Sequence, residues 1–172
     1  MMGLAGSGKG TQGKLLCDEF NYEYLSTGEY LRESLSEERK SQMLAGKLVD
    51  DNEMMQIIDD FLKKTQKDSI LDGFPRSMAQ ANWLLNKHKS GDISIEALIY
   101  LDVPREELVK RLLERGRADD NEAAINTRFE EYSRATLPIV ESYKKAGIKV
   151  IEIKGTGDVE DIHQDILQHL DK

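Results

Sequence analysis

The chain has 172 residues, enough for one hydrophobic core, and its 24 Lys and Arg against 32 Asp and Glu give a net charge of −8, which excludes a general nucleic-acid or membrane-surface binder. Its single cysteine, Cys17, excludes an internal disulfide and a cysteine-rich metal site, and its apolar neighbours mark it as a small core residue. The N-terminus carries no secretory signal and no run reaches the roughly 18 apolar residues of a membrane span, so a soluble cytoplasmic protein is expected.

Residues 3–11 read Gly-Leu-Ala-Gly-Ser-Gly-Lys-Gly-Thr. Glycines at this spacing let successive backbone N–H groups turn onto one anion, Lys9 adds an ammonium and Thr11 a hydroxyl near where Mg2+ would sit. The stretch is a phosphate-cradling loop for a nucleoside triphosphate, with Gly10 at the usual Ser/Thr place and the hydroxyl one residue later. A P-loop follows a full central strand, yet only Met1 and Met2 stand in front of Gly3. The expectation is a nearly absent first strand in a chain truncated, or begun late, at its N-terminus. Neighbouring strands would then hold unpaired groups at about 1–3 kcal/mol for each buried one.

Onward from the loop, the pattern predicts a helix over 9–20, a strand over 22–26, helices over 28–36 and 52–64, a strand over 69–72 and a helix over 77–89. A strand over 97–103, helices over 105–115 and 120–145, a strand over 148–153 and a helix over 159–170 complete the chain. This alternation is α/β: a doubly wound parallel sheet of P-loop NTPase type, flanked by helices, in a single domain spanning 1–172. Asp119 with Glu122 resembles a capping box, which starts the long helix near Asp120. Ile125, Phe129, Tyr132, Thr136, Ile139 and Tyr143 then form one apolar stripe with Arg128 at its edge, Arg134 points away, and Pro138 should kink the helix.

Asp72-Gly73-Phe74-Pro75-Arg76 follows the second predicted strand. An Asp at a strand's carboxyl end beside a P-loop is where Mg2+ or its waters are held, and Arg76 can fork onto a phosphate. Arg111 and Arg115 share a helix face, where like charges repel unless an anion lies between them; with Arg117 and Arg128 they place four arginines in eighteen residues. The plainer alternative for Arg111 is an ion pair with Glu107. His88, His163 and His169 lie far from every motif and are expected at the surface, whereas Trp83, Met54 and Met55 are expected in packing.

The chain resembles the adenylate kinase family of nucleoside monophosphate kinases, of short-lid type. The resemblance rests on the loop ending Gly-Lys-Gly-Thr-Gln, on Ser26-Thr27-Gly28-Glu29-Tyr30-Leu31-Arg32, Ala45-Gly46-Lys47-Leu48-Val49, Asp72-Gly73-Phe74-Pro75-Arg76 and Gly116-Arg117-Ala118-Asp119-Asp120, in that order. It implies a P-loop fold with a small acceptor-binding helical insertion (27–65), a very short lid (about 115–128) and a core of 1–26, 66–114 and 129–172. It implies Mg2+-dependent, reversible phosphoryl transfer from ATP to AMP giving two ADP, with nucleotides as the only partners, in a monomer. Gly6, Ser7, Gly8, Lys9, Gly10 and Thr11 would hold ATP together with Arg111 and Arg115, and Gly155 would meet the donor adenine through the turn 154–157. Arg32 and Arg76 would grip the acceptor phosphate, Thr27 and the backbone around Lys47, Leu48 and Val49 would line the acceptor base, Gln80 would pair with adenine, and Gly73, Arg117 and Arg128 would also take part in AMP binding. Lys9, Asp72, Arg76, Arg111, Arg115, Arg117 and Arg128 form the implied catalytic set, with Mg2+ held through ATP and water near Thr11 and Asp72.

This chain departs from the family pattern in its lid, where one residue separates Arg115 from Arg117, so that either arginine is a candidate for the transferring phosphoryl group. No Cys cluster replaces the missing length, which excludes a zinc-bearing lid. Ala5 replaces a common Pro, Glu29 a common Asp, and the stretch from Arg32 to Ala45 is short. Two other readings follow: a UMP/CMP or broad monophosphate kinase, and a catalytically weak nucleotide-binding module.

Overall fold

The computed structural model describes residues 1–34, 50–117 and 120–170. Its elements are α1 (Lys9–Phe20), β1 (Glu23–Ser26), α2 (Thr27–Ser34), α3 (Asp51–Lys64), β2 (Ser69–Asp72), α4 (Met78–Ser90), β3 (Ala97–Asp102), α5 (Arg105–Arg115), α6 (Glu122–Glu131), a π-helical turn (Tyr132–Thr136), α7 (Leu137–Lys145), β4 (Lys149–Lys154) and α8 (Val159–His169). Each predicted strand is present to within a residue at its ends. The predicted helix over 28–36 is described as far as Ser34, and Lys47, Leu48, Val49 and Asp119 lie outside the described residues.

Parallel pairing joins β1 to β2, with Leu25 opposite Leu71, and β3 to β4, with Ile99 opposite Ile151. Met1 and Met2 occupy the position between these pairs. The Met1 amino group donates to Leu71 O and Met1 O accepts from Gly73 N, while Met2 N donates to Ile99 O and Met2 O accepts from Leu101 N at 2.9 Å. The first strand is thus nearly absent, as expected, and Met1 and Met2 still supply four backbone bonds to their neighbours on both sides.

Apolar clusters cover both faces of the sheet. Leu16 of α1 and Ile162 and Ile166 of α8 pack with Ile99, Ile151 and Ile153 on one side, and Ala81, Leu85, Ile139 and Tyr143 pack with Leu98 on the other. Trp83 and Met55 join a third cluster around Ile58 and Phe74, as expected for packing residues, and Cys17 packs at the edge of the first. No described helix is long and apolar enough to cross a membrane.

Two local expectations, at the start of the long helix and at His163, are corrected, and the expected interruption at Pro138 takes a particular form. The long helix does not begin near Asp120: Asn121 is its N-cap, with its side chain accepting from Ala124 N at 3.0 Å, and the Asp120 side chain is buried. Pro138 produces a π turn ahead of itself. With no N–H of its own and a ring that crowds the carbonyl four residues back, it widens the ladder so that Leu137 N reaches Tyr132 O. The apolar stripe holds through this turn, with Ile125, Phe129, Thr136, Ile139 and Tyr143 all buried. Finally, His163 is only 5% exposed, because Ile162, His163 and Ile166 form the inward face of α8.

Candidate active site

Strands β1 and β2 lie on one side of Met1–Met2 and β3 and β4 on the other, so the carboxyl ends of the strands open a crevice at a topological switch point. A cleft of about 530 Å3 occupies this place. Gly6, Gly8, Lys9, Gly10, Thr11, Thr27, Arg32, Asp72, Gly73, Arg76, Gln80, Arg111, Arg115, Arg117 and Arg128 all line it.

Gly8 begins α1 with φ 96°, a left-handed conformation that a side chain would strain, and no side chain caps the helix. With no acidic residue in its first turn, the N–H groups there face the cleft as an anion site reinforced by the helix dipole. The Lys9 ammonium folds back to donate to Gly3 O and Leu4 O, both at 2.8 Å. Desolvation is the main reason its pKa falls from 10.5 to about 8; the Asp72 carboxylate opposes the shift, and Arg76 and Arg115 add to it. Ser7 lies under the loop, 1% exposed, and is not part of the cleft wall.

Asp72 ends β2 and is 7% exposed. Its Oδ2 accepts from the Tyr24 hydroxyl at 2.7 Å, while Oδ1 is buried with no partner. Burial first, and then the neighbouring Asp72 charge, push the Tyr24 phenol far up, so it stays a donor. Asp72 and Thr11 line the same cleft, and the orphaned carboxylate oxygen of Asp72 fits a hydrated divalent cation such as Mg2+. Next to it, Thr27 Oγ1 lies 3.2 Å from Asp72 O and 3.0 Å from Gly73 O. Gly73 has φ 77°, and a Cβ there would meet Arg76 Nη2 at 2.8 Å and Thr27 Oγ1 at 2.9 Å.

The arginines form two groups. Arg76 Nε donates to Gly73 O at 2.7 Å, and the Arg32 and Arg76 guanidinium groups converge over Gly28, within 3.4 and 3.9 Å of where its Cβ would be. Burial lowers the Arg76 pKa, with Arg128 and Arg32 adding like-charge repulsion against the pull of Asp72. It remains a cation, poorly solvated and ready for an anion. The second group gathers on Asp120, whose side chain has no exposed surface. Arg115 binds it in a fork, Nε to Oδ2 at 2.8 Å and Nη2 to Oδ1 at 2.7 Å; Arg128 Nη2 and the Arg117 N–H reach it at 3.2 Å. Burial alone would raise the Asp120 pKa, but the bonds and charge of Arg115, then of Arg128 and the Arg117 amide, hold it below the usual carboxylate range. Arg111 pairs with Glu107 at 2.8 Å and also lines the cleft, so the ion-pair alternative and a place in the site hold together.

Gln80, 4% exposed, is held at both atoms of its amide: Oε1 accepts from Arg76 N and Nε2 donates to Asp51 Oδ1, both at 2.7 Å. Gly155 is buried behind the phosphate loop, outside the cleft wall, where a Cβ would lie 2.5 Å from Val103 Cγ2 and 3.2 Å from Ser7 O. Sequence reasoning missed Tyr24, Asp51 and the inward role of Asp120. Asp120 had a signal in the acid pair after Arg117, whereas Tyr24 and Asp51 are joined to the site only by tertiary contact.

The family model described as adenylate kinase matches residues 1–148. Among relatives, a protein named adenylate kinase from Prochlorococcus marinus (strain MIT 9515) is 41% identical, covering 98% of this chain and 96% of its own. One of that name from Leptospira biflexa serovar Patoc (strain Patoc 1 / Ames) is 40% identical over 98% of this chain and 97% of its own. The phosphate loop, Asp72, both arginine groups and Gln80 lie within the matched span, and this chain belongs to the adenylate kinase family.

Proposed function

We infer that the chain transfers the γ-phosphoryl group of ATP reversibly to AMP, giving two ADP. The observation that carries the reading is one cleft lined together by the phosphate loop, by Arg32, Arg76 and Gln80, and by Arg111, Arg115, Arg117 and Arg128. Phosphoryl transfer asks a protein chiefly to align two substrates and surround the moving group with positive charge. In this reading Lys9 and the loop amides hold the donor phosphates, and Arg32 and Arg76 hold the acceptor phosphate. Arg111, Arg115, Arg117 and Arg128 stabilise charge on the transferring group, with Arg115 and Arg128 held ready by Asp120. No strong base is needed, because the acceptor is already a phosphate oxygen.

Mg2+ supplies neutralisation of the donor phosphates when bound, and Thr11 and the orphaned Asp72 Oδ1 are the groups that would hold it, through ATP and water. Segment 27–65 is taken as the acceptor-binding part and about 115–128 as a short lid that excludes water from the transfer. The same reading makes the protein a cytoplasmic monomer whose partners are ATP, AMP and ADP. A coupled ADP assay with AMP, UMP and CMP as acceptors tests it. AMP should be the best acceptor, and faster turnover of UMP or CMP would overturn the assignment.

A further inference from the structure

A side-chain carboxamide offers two N–H donors and two oxygen lone pairs, and its orientation is ordinarily ambiguous. That of Gln80 is fixed by its neighbours. The carboxylate of Asp51 can only accept, and it takes Nε2 at 2.7 Å; the backbone N–H of Arg76 can only donate, and it takes Oε1 at 2.7 Å. A flipped amide would oppose like poles at both contacts. The second oxygen of Asp51, Oδ2, accepts separately from Ser77 Oγ at 2.7 Å, and that hydroxyl caps α4 by accepting from Gln80 N at 3.2 Å, so the Oδ1 contact with Gln80 does not depend on Ser77. One hydrogen on Nε2 and one lone pair on Oε1 are left for a ligand, in a fixed order.

We propose that Asp51 is a positioning residue that fixes the polarity of the Gln80 carboxamide and so selects an acceptor base with an amino group over the same base with an oxo group. This rests on the reading above, in which Gln80 meets the acceptor base. Adenine presents a ring-nitrogen acceptor beside an amino donor, which complements the free donor and lone pair of Gln80. Hypoxanthine has the same shape but presents a ring N–H beside an oxo group, the reverse order. With its phosphate held by Arg32 and Arg76, the base cannot turn over to correct this, and buried polar mismatch is rejected strongly.

The experiment compares kcat/KM for AMP and for IMP, at saturating MgATP, in the native protein and in Asp51→Ala, Asp51→Ser, Ser77→Ala and Gln80→Ala, with a thermal melt of each. Freeing the carboxamide from a charge-assisted bond should lower the AMP-to-IMP ratio about tenfold in the Asp51 variants. Ser77→Ala removes the cap of α4 but leaves Asp51 on Nε2, so it should lose stability and keep the ratio within about twofold. Asp51→Ser decides the matter if Asp51→Ala does not fold. An unchanged ratio in the folded Asp51 variants, with a lowered ratio in Gln80→Ala, overturns the proposal alone. An equal fall in Ser77→Ala also overturns it, assigning the effect to packing of α3 on α4. An unchanged ratio in Gln80→Ala overturns the base-reading role of Gln80 itself.

Discussion

If Lys9 holds the donor phosphates as proposed, raising the pH past 8 should strip that site of its cation. The Lys9 ammonium, pushed down from 10.5 to about 8 chiefly by desolvation, is about nine-tenths charged at pH 7, half charged at pH 8 and one-tenth charged at pH 9. A bound triphosphate restores the charge, so binding takes up a proton: about 0.1 per ATP at pH 7 and about 0.5 at pH 8. If the neutral amine binds ATP poorly, affinity falls about twofold at pH 8 and about tenfold at pH 9. Titration calorimetry with a non-hydrolysable ATP analogue, in two buffers of different ionisation enthalpy, reads the uptake directly. Lys9→Met should abolish it. Uptake near zero at pH 8, or equal uptake in Lys9→Met, would refute the assignment of this titration to Lys9. The sign for folding runs the other way from that of a paired lysine. Below pH 8 the ammonium is buried at full cost, and between about 8 and 10.5 the unfolded chain holds the extra proton, so the stability of the free protein rises with pH there.

Asp120→Asn leaves Arg115 and Arg128 without their shared carboxylate; since both arginines are partly exposed, the loss should be about 2 kcal/mol by urea denaturation, and no change would refute the hub. Because the Asp120 pKa is lowered by folding, its stabilisation is present above the ordinary carboxylate pKa and lost as pH falls through the depressed value, so the native protein should show an acid transition that the variant lacks. Gly13→Ala improves helix propensity by about 1 kcal/mol, yet its Cβ would lie 2.6 Å from Tyr24 Cε2, so we expect net destabilisation of about 1–2 kcal/mol, and a higher melting temperature would contradict the packing of that ring. Lys9→Ala and Arg128→Ala should each cost about 10²–10⁴ in kcat with the fold retained by circular dichroism; unchanged turnover in either removes that residue from the mechanism.

Much of the site was legible because its residues cluster along the chain. The phosphate loop, Asp72-Gly73-Phe74-Pro75-Arg76 and the arginines from Arg111 to Arg128 each carry their chemistry within a few positions, and all but Ser7 and Gly155 of the described candidates line the cleft. The strands were legible because their β-type runs break against helical period. What escaped was set by tertiary contact. Tyr24 reads as an ordinary strand residue until β1 lies beside β2 and its hydroxyl meets Asp72. Asp51 reads as a first-turn acid, which it also is, until α4 brings Gln80 and Ser77 to it. His163 was misplaced because a polar residue on an inward helix face has no local signature, and the π turn at Tyr132–Thr136 because the spacing of its apolar stripe is that of an uninterrupted helix.

The Asp120 carboxylate has a consequence for how charge is handled before any nucleotide arrives. Guanidinium groups brought together in a cleft repel one another, and in an empty site that repulsion would splay them toward solvent, to be gathered again at each turnover. Here an internal anion keeps Arg115 and Arg128 assembled from the moment the chain folds. An incoming phosphate therefore exchanges with, or adds to, a resident counterion, and the reorganisation that would otherwise accompany every binding event is completed once, during folding.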